Sequence, residues 1–325
     1  MNVTVAEAAA LLKKADDILI LSHRRPDGDT SGCAGALCRG LQQLGKNAYV
    51  LQNPEITKRY AGLIVPCYPP AGFQANMLVT VDVADTNMLT GNAEAWAEQI
   101  DLVIDHHRSN PGFGASNLIR PTAGGCGEIV YDVLMAMGVQ LTADIARCIY
   151  VAVSTDTGCF KFSNTVPHTL RVAAACLEAG VDGGEINRAL FEVKSWPRFE
   201  MERIIFDTME FVHDRKIALA TLRRADIDRT GADMDDLDSI ASLTRQIEGV
   251  QVGITLTENK DGSVKASVRT TKEVDASVIC RKCGGGGHLR AGGASFPAGV
   301  SLQQARARLL EAAESVYRKS GMEAS

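Results

Sequence analysis

The sequence predicts an α/β protein: an N-terminal parallel-sheet domain with helices on both faces, a smaller α+β domain, and a cleft between them. Three observations carry that expectation. Over residues 1–188, short apolar runs alternate with helical patterns, as in a parallel sheet covered by helices. Beyond that stretch the period changes, and strands follow one another across a hairpin signal. The 325 residues also suffice for two cores, at about 100–200 residues per domain.

Taken in order, Ile18 to Ser22 (ILILS) reads as a strand and Ser31 to Leu44 as a helix closed by Gly45. Asn47 to Gln52, Met77 to Val81 and Leu102 to Ile104 are the next strands. Gly127 to Met137 places Ile129, Val130, Val133, Leu134 and Met137 at helical spacing, a face that serves either the core or a dimer contact. Ala143 to Ser154 repeats the pattern and runs into Thr155-Asp156. His168 to Ala179, closed by Gly180, is a further helix. Trp196-Pro197 breaks the chain before a connecting helix over Phe199 to Val212. Strands follow at Lys216 to Leu222, Val250 to Thr257 and Ser263 to Thr270, the last two joined by Glu258-Asn259-Lys260-Asp261-Gly262. Helices over Asp236 to Ile247 and Leu302 to Tyr317 complete the second domain.

Composition excludes several classes. A hydrophobic content of 46% with 22% charged residues rules out wholesale disorder. The formal net charge of −5 argues against coating long nucleic acid, yet a local patch still suits a short anion. No apolar run approaches the ~18–20 residues of a membrane span, and the amphipathic first segment lacks the order of a signal peptide, so the expected location is the cytoplasm. The nine cysteines are odd in number and lie mostly in apolar stretches, as reduced buried thiols do. Cys280 and Cys283 form a lone CxxC with no second pair to complete a zinc site.

The chemistry concentrates just past the strands. After ILILS come His23, Asp27 and Asp29; after MLVTV comes Asp82; after LVI come Asp105, His106 and His107; Asp156 ends a helix. Ligands of open α/β sheets bind outside the carboxyl ends of the strands, so these segments converge if their strands are adjacent and parallel. One such Asp alone would ordinarily be a solvated loop residue or a helix cap, and Asp85 fits a cap as well as a ligand role. Together, the carboxylates would repel one another in a partly desolvated crevice unless cations were present. Imidazole plus carboxylate suits Mn, Fe, Co or Zn. Six candidate ligands, His23, Asp27, Asp29, Asp82, His106 and Asp156, exceed the needs of one ion and fit a pair of divalent ions, the clamp used for in-line phosphoryl displacement.

These residues resemble a known family. His23-x-x-Pro26-Asp27-Gly28-Asp29, Asp82, Asp105-His106-His107 and Asp156 are similar, in order, to the four motifs of the DHH phosphoesterase superfamily. Gly284 to Gly293 (GGGGHLRAGG) resembles the glycine-rich signature of its C-terminal DHH-associated domain, with Ala291-Gly292-Gly293 where the family more often has Ala-Ala-Gly. The resemblance spans nearly the whole chain, including Phe160 to Thr165 and Gln246 to Val252. It points to the bacterial oligoribonuclease/pAp-phosphatase (NrnA-type) subfamily.

The resemblance implies a catalytic domain over 1–188, a helical linker over 189–214 and a substrate-binding domain over 215–325. It implies two divalent metal ions, Mn²⁺ before Mg²⁺, Co²⁺ or Fe²⁺. One would be held by His23, Asp27, Asp82 and Asp156, the other by Asp29, Asp82, His106 and Asp156. Asp105 would orient His106, and His107 would face the phosphate. Arg269, Gly285, Gly286, Gly287, His288 and Arg290 would grip the substrate, backbone N–H groups approaching an anion where side chains are absent. Arg281 and Lys282 read as solvated. The implied substrates are short 5′-phosphorylated oligoribonucleotides such as pApA, and 3′-phosphoadenosine-5′-phosphate (pAp), hydrolysed by metal-activated water. Long nucleic acid and membranes are not expected partners, and a homodimer is left open. The alternatives are a cyclic-di-AMP phosphodiesterase and a catalytically silent nucleotide sensor; the complete ligand set weighs against the sensor.

Overall fold

Buried apolar residues on alternating faces build the first sheet, because side chains along a strand point to opposite sides. The structure, a computed structural model, describes residues 1–237, 240–271 and 274–319. It divides into two units, Met1–Val193 and Lys194–Ser325.

In the first unit, α1 (Val5–Lys14) starts at a capping box in which Thr4 and Glu7 satisfy each other's backbone donors. It is followed by β1 (Ile18–Leu21), α2 (Gly28–Gln43), β2 (Ala48–Val50), α3 (Lys58–Ile64), β3 (Met77–Val81), β4 (Leu102–Asp105) and β5 (Ser116–Ile119). Then come α4 (Cys126–Met137), α5 (Ala143–Asp156), α6 (Pro167–Glu178) and α7 (Gly183–Asn187). The five strands pair in the order β2-β1-β3-β4-β5, all parallel. The strand order reverses between β1 and β3, which makes their carboxyl ends the expected ligand crevice of a doubly wound sheet.

One sheet face, with Ile18, Ile20, Val79, Val81, Leu102 and Ile104, is buried in one cluster with side chains of α1, α2, α4 and α5. The opposite face, with Leu19, Leu21, Leu78 and Val103, packs on Val83, Leu89, Ala93 and Ile100. That second cover contains only the short 3₁₀ turns Thr86–Met88 and Glu94–Trp96. The helical layer expected on both faces is therefore α-helical on one face and turn-and-loop on the other. Of the two roles open to the Ile129–Met137 face, the structure gives the core, since Ile129, Val130, Val133, Leu134 and Met137 are all buried. Strand β5 carries Ser116 and Asn117 in a polar run (SNLI), which left it outside the sequence expectation.

In the second unit, α8 (Trp196–Asp207) leads into β6 (Glu210–Val212), β7 (Ile217–Leu222), α9 (Arg224–Thr230) and α10 (Met234–Leu237). After the 3₁₀ turn Ile240–Arg245 come β8 (Val252–Glu258), β9 (Val264–Thr270), α11 (Ala276–Lys282), β10 (Gly286–Gly287), β11 (Ala291–Phe296) and α12 (Leu302–Lys319). The six strands form a mixed sheet, β10-β11-β9-β8-β7-β6. One side packs on α11 and α12; the other, through Ala220 and Leu222, packs on Met201, Ile204 and Ile205 of α8. The stretch read as a helical linker over 189–214 falls in the second unit from Lys194 onward, and Glu210–Val212 within it form the edge strand β6 rather than more helix. The helix expected over Asp236 to Ile247 is a short α10 and a 3₁₀ turn, with residues 238–239 outside the described residues. The β8–β9 hairpin forms as expected, in antiparallel register from Val252↔Thr270 to Glu258↔Val264. Among the described residues no helix is long and apolar enough to cross a membrane.

Candidate metal centre

The turn after β1 aims the first carboxylates. Asp27 caps α2, its Oδ1 accepting from the Thr30 backbone N–H at 3.0 Å, which starts the helix three residues before the apolar pattern does. Helix α2 then runs against α5 at very close range. A β-carbon on Gly28 would lie 2.4 Å from Thr155 Oγ1, and one on Gly32 would lie 2.4 Å from the Cys148 carbonyl. Glycine at these two positions lets the helices meet, and the approach delivers Asp156, the last residue of α5, to the carboxylates of α2.

Asp29 is buried and held by the start of α4. Its Oδ2 accepts from the Cys126 N–H at 2.7 Å and its Oδ1 from the Gly127 N–H at 2.9 Å. Asp82 follows β3 in the left-handed region (φ +56°), which aspartate tolerates better than most residues. Its Oδ2 accepts from Thr30 Oγ1 at 2.6 Å, while its buried Oδ1 has no hydrogen-bond partner. His23 Nδ1 donates to the Arg24 carbonyl at 2.6 Å; because a carbonyl only accepts, Nε2 is left as the bare nitrogen. That nitrogen lies 3.9 Å from Asp27 Oδ1 and 3.8 Å from Asp82 Oδ2. His106 Nε2 lies 3.5 Å from Asp82 Oδ1, 3.8 Å from Asp156 Oδ2 and 4.0 Å from Asp29 Oδ2.

These separations are long for hydrogen bonds. They are closer to those of donors sharing an ion, which sit about 3–3.5 Å apart when each is about 2.1 Å from the metal. The ligand atoms fall into three overlapping groups: His23 with Asp27 and Asp82, His106 with Asp29 and Asp156, and Asp82 with His106 and His107. Groups that could hold a metal are therefore present, and Asp82 Oδ1, buried beside His106 and without a hydrogen-bond partner among the described residues, is an atom that a cation would satisfy.

Electrostatics give the same result. Burial pushes the Asp29 carboxyl well above the usual carboxylate range, and the charges of Asp156 and Asp27 push it further. Burial does the same to Asp82, followed by the charge of Asp29. Burial also raises Asp156, against the opposing pull of His106. A divalent cation among them reverses this penalty.

Asp105 behaves differently from the rest. Burial would raise its carboxyl, but the hydrogen bond and charge of His107 outweigh burial and hold it below its usual value. Its Oδ1 accepts from His107 Nδ1 at 2.8 Å and from the His106 backbone N–H at 2.8 Å, and its Oδ2 accepts from Asn110 Nδ2 at 2.6 Å. The sequence reading had Asp105 orient the His106 ring; in the structure it holds the His107 ring and only the backbone of His106. The same hydrogen bond raises the His107 imidazole above its usual range. His107 Nδ1 is bonded to Asp105, and the ring also lies beside Asp82 and His106, with which it forms the third ligand group.

Three supporting residues escaped the sequence reading: Thr30, Asn110 and Asn164, whose Nδ2 reaches Asp156 Oδ2 at 3.2 Å. The signal for Thr30 was its place three residues after Asp27, the distance from a cap to the first backbone donor it serves. Asp85 takes the cap alternative, accepting from the Asn87 N–H at 2.8 Å ahead of the 3₁₀ turn Thr86–Met88.

The residues expected to grip substrate lie in the second unit. Arg269 is half-buried near the end of β9 and, among the described residues, donates only to the Val268 carbonyl, at 3.1 Å. Arg290 Nη1 donates to the carbonyls of Thr271 and Val274. The glycine run is partly a matter of packing: a β-carbon on Gly285 would fall 2.1 Å from the Gly293 carbonyl, whereas Gly286 faces open space. Gly287 has φ +141°, a conformation that favours glycine, and His288 and Ala291 close the turn between β10 and β11.

Comparison with known proteins agrees with this geometry. Residues 17–153 match the DHH family N-terminal domain and residues 214–319 the DHHA1 domain. The chain is 34% identical, over 96% of its own length and 94% of the relative's, to the bifunctional oligoribonuclease and PAP phosphatase NrnA of Thermus thermophilus. It is 24% identical to the cyclic-di-AMP phosphodiesterase PdeA of Listeria monocytogenes, over 95% of this chain but only 49% of that protein. Its fold is shared by an exopolyphosphatase-related protein from Bacteroides fragilis, with a TM-score of 0.84 at 20% identity over 98% of this chain and 97% of that one. The chain belongs to the DHH family.

Proposed function

We propose that the protein is a metal-dependent phosphoester hydrolase of short 5′-phosphorylated oligoribonucleotides, such as pApA, and of pAp. The observation that carries this reading is the set of ligand groups around Asp82, whose Oδ2 faces His23 and whose Oδ1 faces His106. They sit in a chain that matches a bifunctional oligoribonuclease and PAP phosphatase along 94% of that relative's length.

His23, Asp27 and Asp82 would hold one divalent ion, and Asp29, His106 and Asp156 a second, with Asp82 between them. The oxygen and imidazole donors suit Mn²⁺, with Mg²⁺, Co²⁺ or Fe²⁺ as alternatives. When bound, such a pair supplies a water activated at neutral pH and positive charge for the phosphoryl group. The chain's own residues do the rest. The Arg24 carbonyl fixes the His23 tautomer, so that Nε2 faces the ligands. Thr30 and the start of α4 keep Asp82 and Asp29 from turning away. Asp105 holds His107 by Nδ1 and favours its charged form, leaving Nε2 to stabilise negative charge on the phosphate or to protonate the departing oxygen. Asp27 is the exposed member of the set, its side chain 60% accessible, and marks the open side of the centre.

A cyclic-di-AMP phosphodiesterase is the second reading, favoured by the PdeA relative, though this chain spans about half of that protein. A substrate panel separates the two. With Mn²⁺, purified protein is expected to turn over pApA and pAp well ahead of cyclic-di-AMP, a 24-mer RNA and pyrophosphate, and Asp156→Ala is expected to lose all of it. Turnover of pyrophosphate alone, or cyclic-di-AMP cleaved fastest, would sink the proposal.

A further inference from the structure

Directly opposed residues of an antiparallel pair project to the same face of a sheet. Gly253 of β8 is the partner of Arg269 of β9, and Thr255 is the partner of Ser267. On the other side of β9, Ala291 pairs with Arg269 and Gly293 with Ser267. Arg269 therefore stands on one face among residues with little or no side chain, with two hydroxyls, Thr255 and Ser267, in the next row. The opposite face of these strands, with Val252, Ile254, Ala266 and Val268, is sealed into the core under α11 and α12.

Two further facts mark the Arg269 face. A β-carbon on Gly253 would lie 2.5 Å from Thr244 Oγ1 and 2.9 Å from the Arg245 backbone nitrogen. The 3₁₀ turn Ile240–Arg245 thus rests directly on Gly253, and Arg245 begins beside Arg269, on the same side of the sheet. Thr255 is only 1% exposed and its Oγ1 has no hydrogen-bond partner. Among the described residues no carboxylate forms an ion pair with Arg245 or Arg269. The neighbouring Arg245 charge adds to burial in lowering the Arg269 guanidinium from its usual value, as expected for like charges without an acid between them.

We infer that Arg245 is a second guanidinium of the substrate grip, and that with Arg269 it selects substrates carrying a terminal phosphomonoester. This rests on the reading of the protein as a hydrolase of short nucleotides. The charge arithmetic sets the selectivity. A phosphomonoester carries about −1.5 to −2 at pH 7, whereas a phosphodiester carries a single charge. Two guanidiniums without an acid neutralise the monoester and overcompensate the diester, and each offers a planar fork to the phosphate oxygens. The terminal phosphate of pApA or pAp fits this grip; ApA, which has only the internal diester, does not engage it. The sequence could not show this, because Arg245 lies 24 positions from Arg269 and meets it only through the turn that Gly253 admits.

The test compares pApA with ApA in the full chain with Mn²⁺. Arg245→Gln is expected to lower the ratio of kcat/KM for pApA over ApA by about tenfold or more through KM, the size of effect expected for a lost charge-assisted contact. Arg245→Lys is expected to recover part of that ratio. AMP affinity by calorimetry in metal-free buffer reads the same grip without turnover and should fall in step. An unchanged ratio, with pApA and ApA both affected equally or both unaffected, would overturn the inference. If wild type cleaved neither pApA nor pAp, the short-nucleotide reading would fail. Loss of AMP affinity in Arg245→Gln would then still support the grip, and unchanged affinity would overturn it too.

Discussion

Asp82→Asn is expected to lower kcat for pApA by roughly a thousandfold or more and to reduce bound metal, while the protein stays folded. Asp82 is the carboxylate nearest both ligand groups: His23 Nε2 stands 3.8 Å from its Oδ2 and His106 Nε2 3.5 Å from its Oδ1. The amide keeps the shape and can still accept from Thr30, so the helix start is preserved. What it removes is a negative charge among the ligand groups, and the amide nitrogen presents protons where a metal ligand would need a lone pair. Metal content by mass spectrometry and kcat, measured on the same preparation, check the expectation. Full metal loading with normal kcat would show that Asp82 is a structural acid. Circular dichroism and the melting temperature guard against misfolding, and removal of a buried charge pushed well above its usual range should not lower stability in the absence of metal.

His107→Ala is expected to produce the opposite split, lowering kcat by roughly a hundredfold or more and leaving metal content unchanged. His107 lies 3.7 Å from Asp82, and its Nδ1 is taken by Asp105 at 2.8 Å, so its loss leaves the His23–Asp27–Asp82 and Asp29–His106–Asp156 groups complete. The side chain is 37% exposed, unlike the buried His23, which fits a group that meets substrate. A His107→Ala protein that lost metal along with activity would move His107 into the ligand set. Asp105→Asn should resemble His107→Ala in kcat, because it frees the ring that Asp105 holds.

Much of this was legible in the sequence, for identifiable reasons. Strands β1, β3 and β4 are buried on both faces, so they read as unbroken apolar runs, and the acids and histidines after them stood out by contrast. The candidate ligands were legible because sheet topology forces strand ends together. Strand β5 was not, because it begins Ser116-Asn117 and its pairing with β4 is a tertiary fact. Asp105 was assigned to the wrong ring because spacing cannot say which way adjacent imidazoles turn; the backbone at His106 and the reach of Asn110 decide it. The glycine run looked like an anion loop throughout, yet Gly285 is glycine because the Gly293 carbonyl leaves no room for a side chain. Likewise, the turn that carries Arg245 is placed by the missing side chain of Gly253, a close contact that leaves no periodic trace.

We propose that two ions together perform the hydrolysis. This is tested most directly by titrating metal-free protein with Mn²⁺ while measuring bound ions and pApA hydrolysis in the same samples. Two ions per chain are expected, with activity rising as the second is taken up. Full activity with a single ion bound, or hydrolysis persisting in excess chelator, would contradict the proposal.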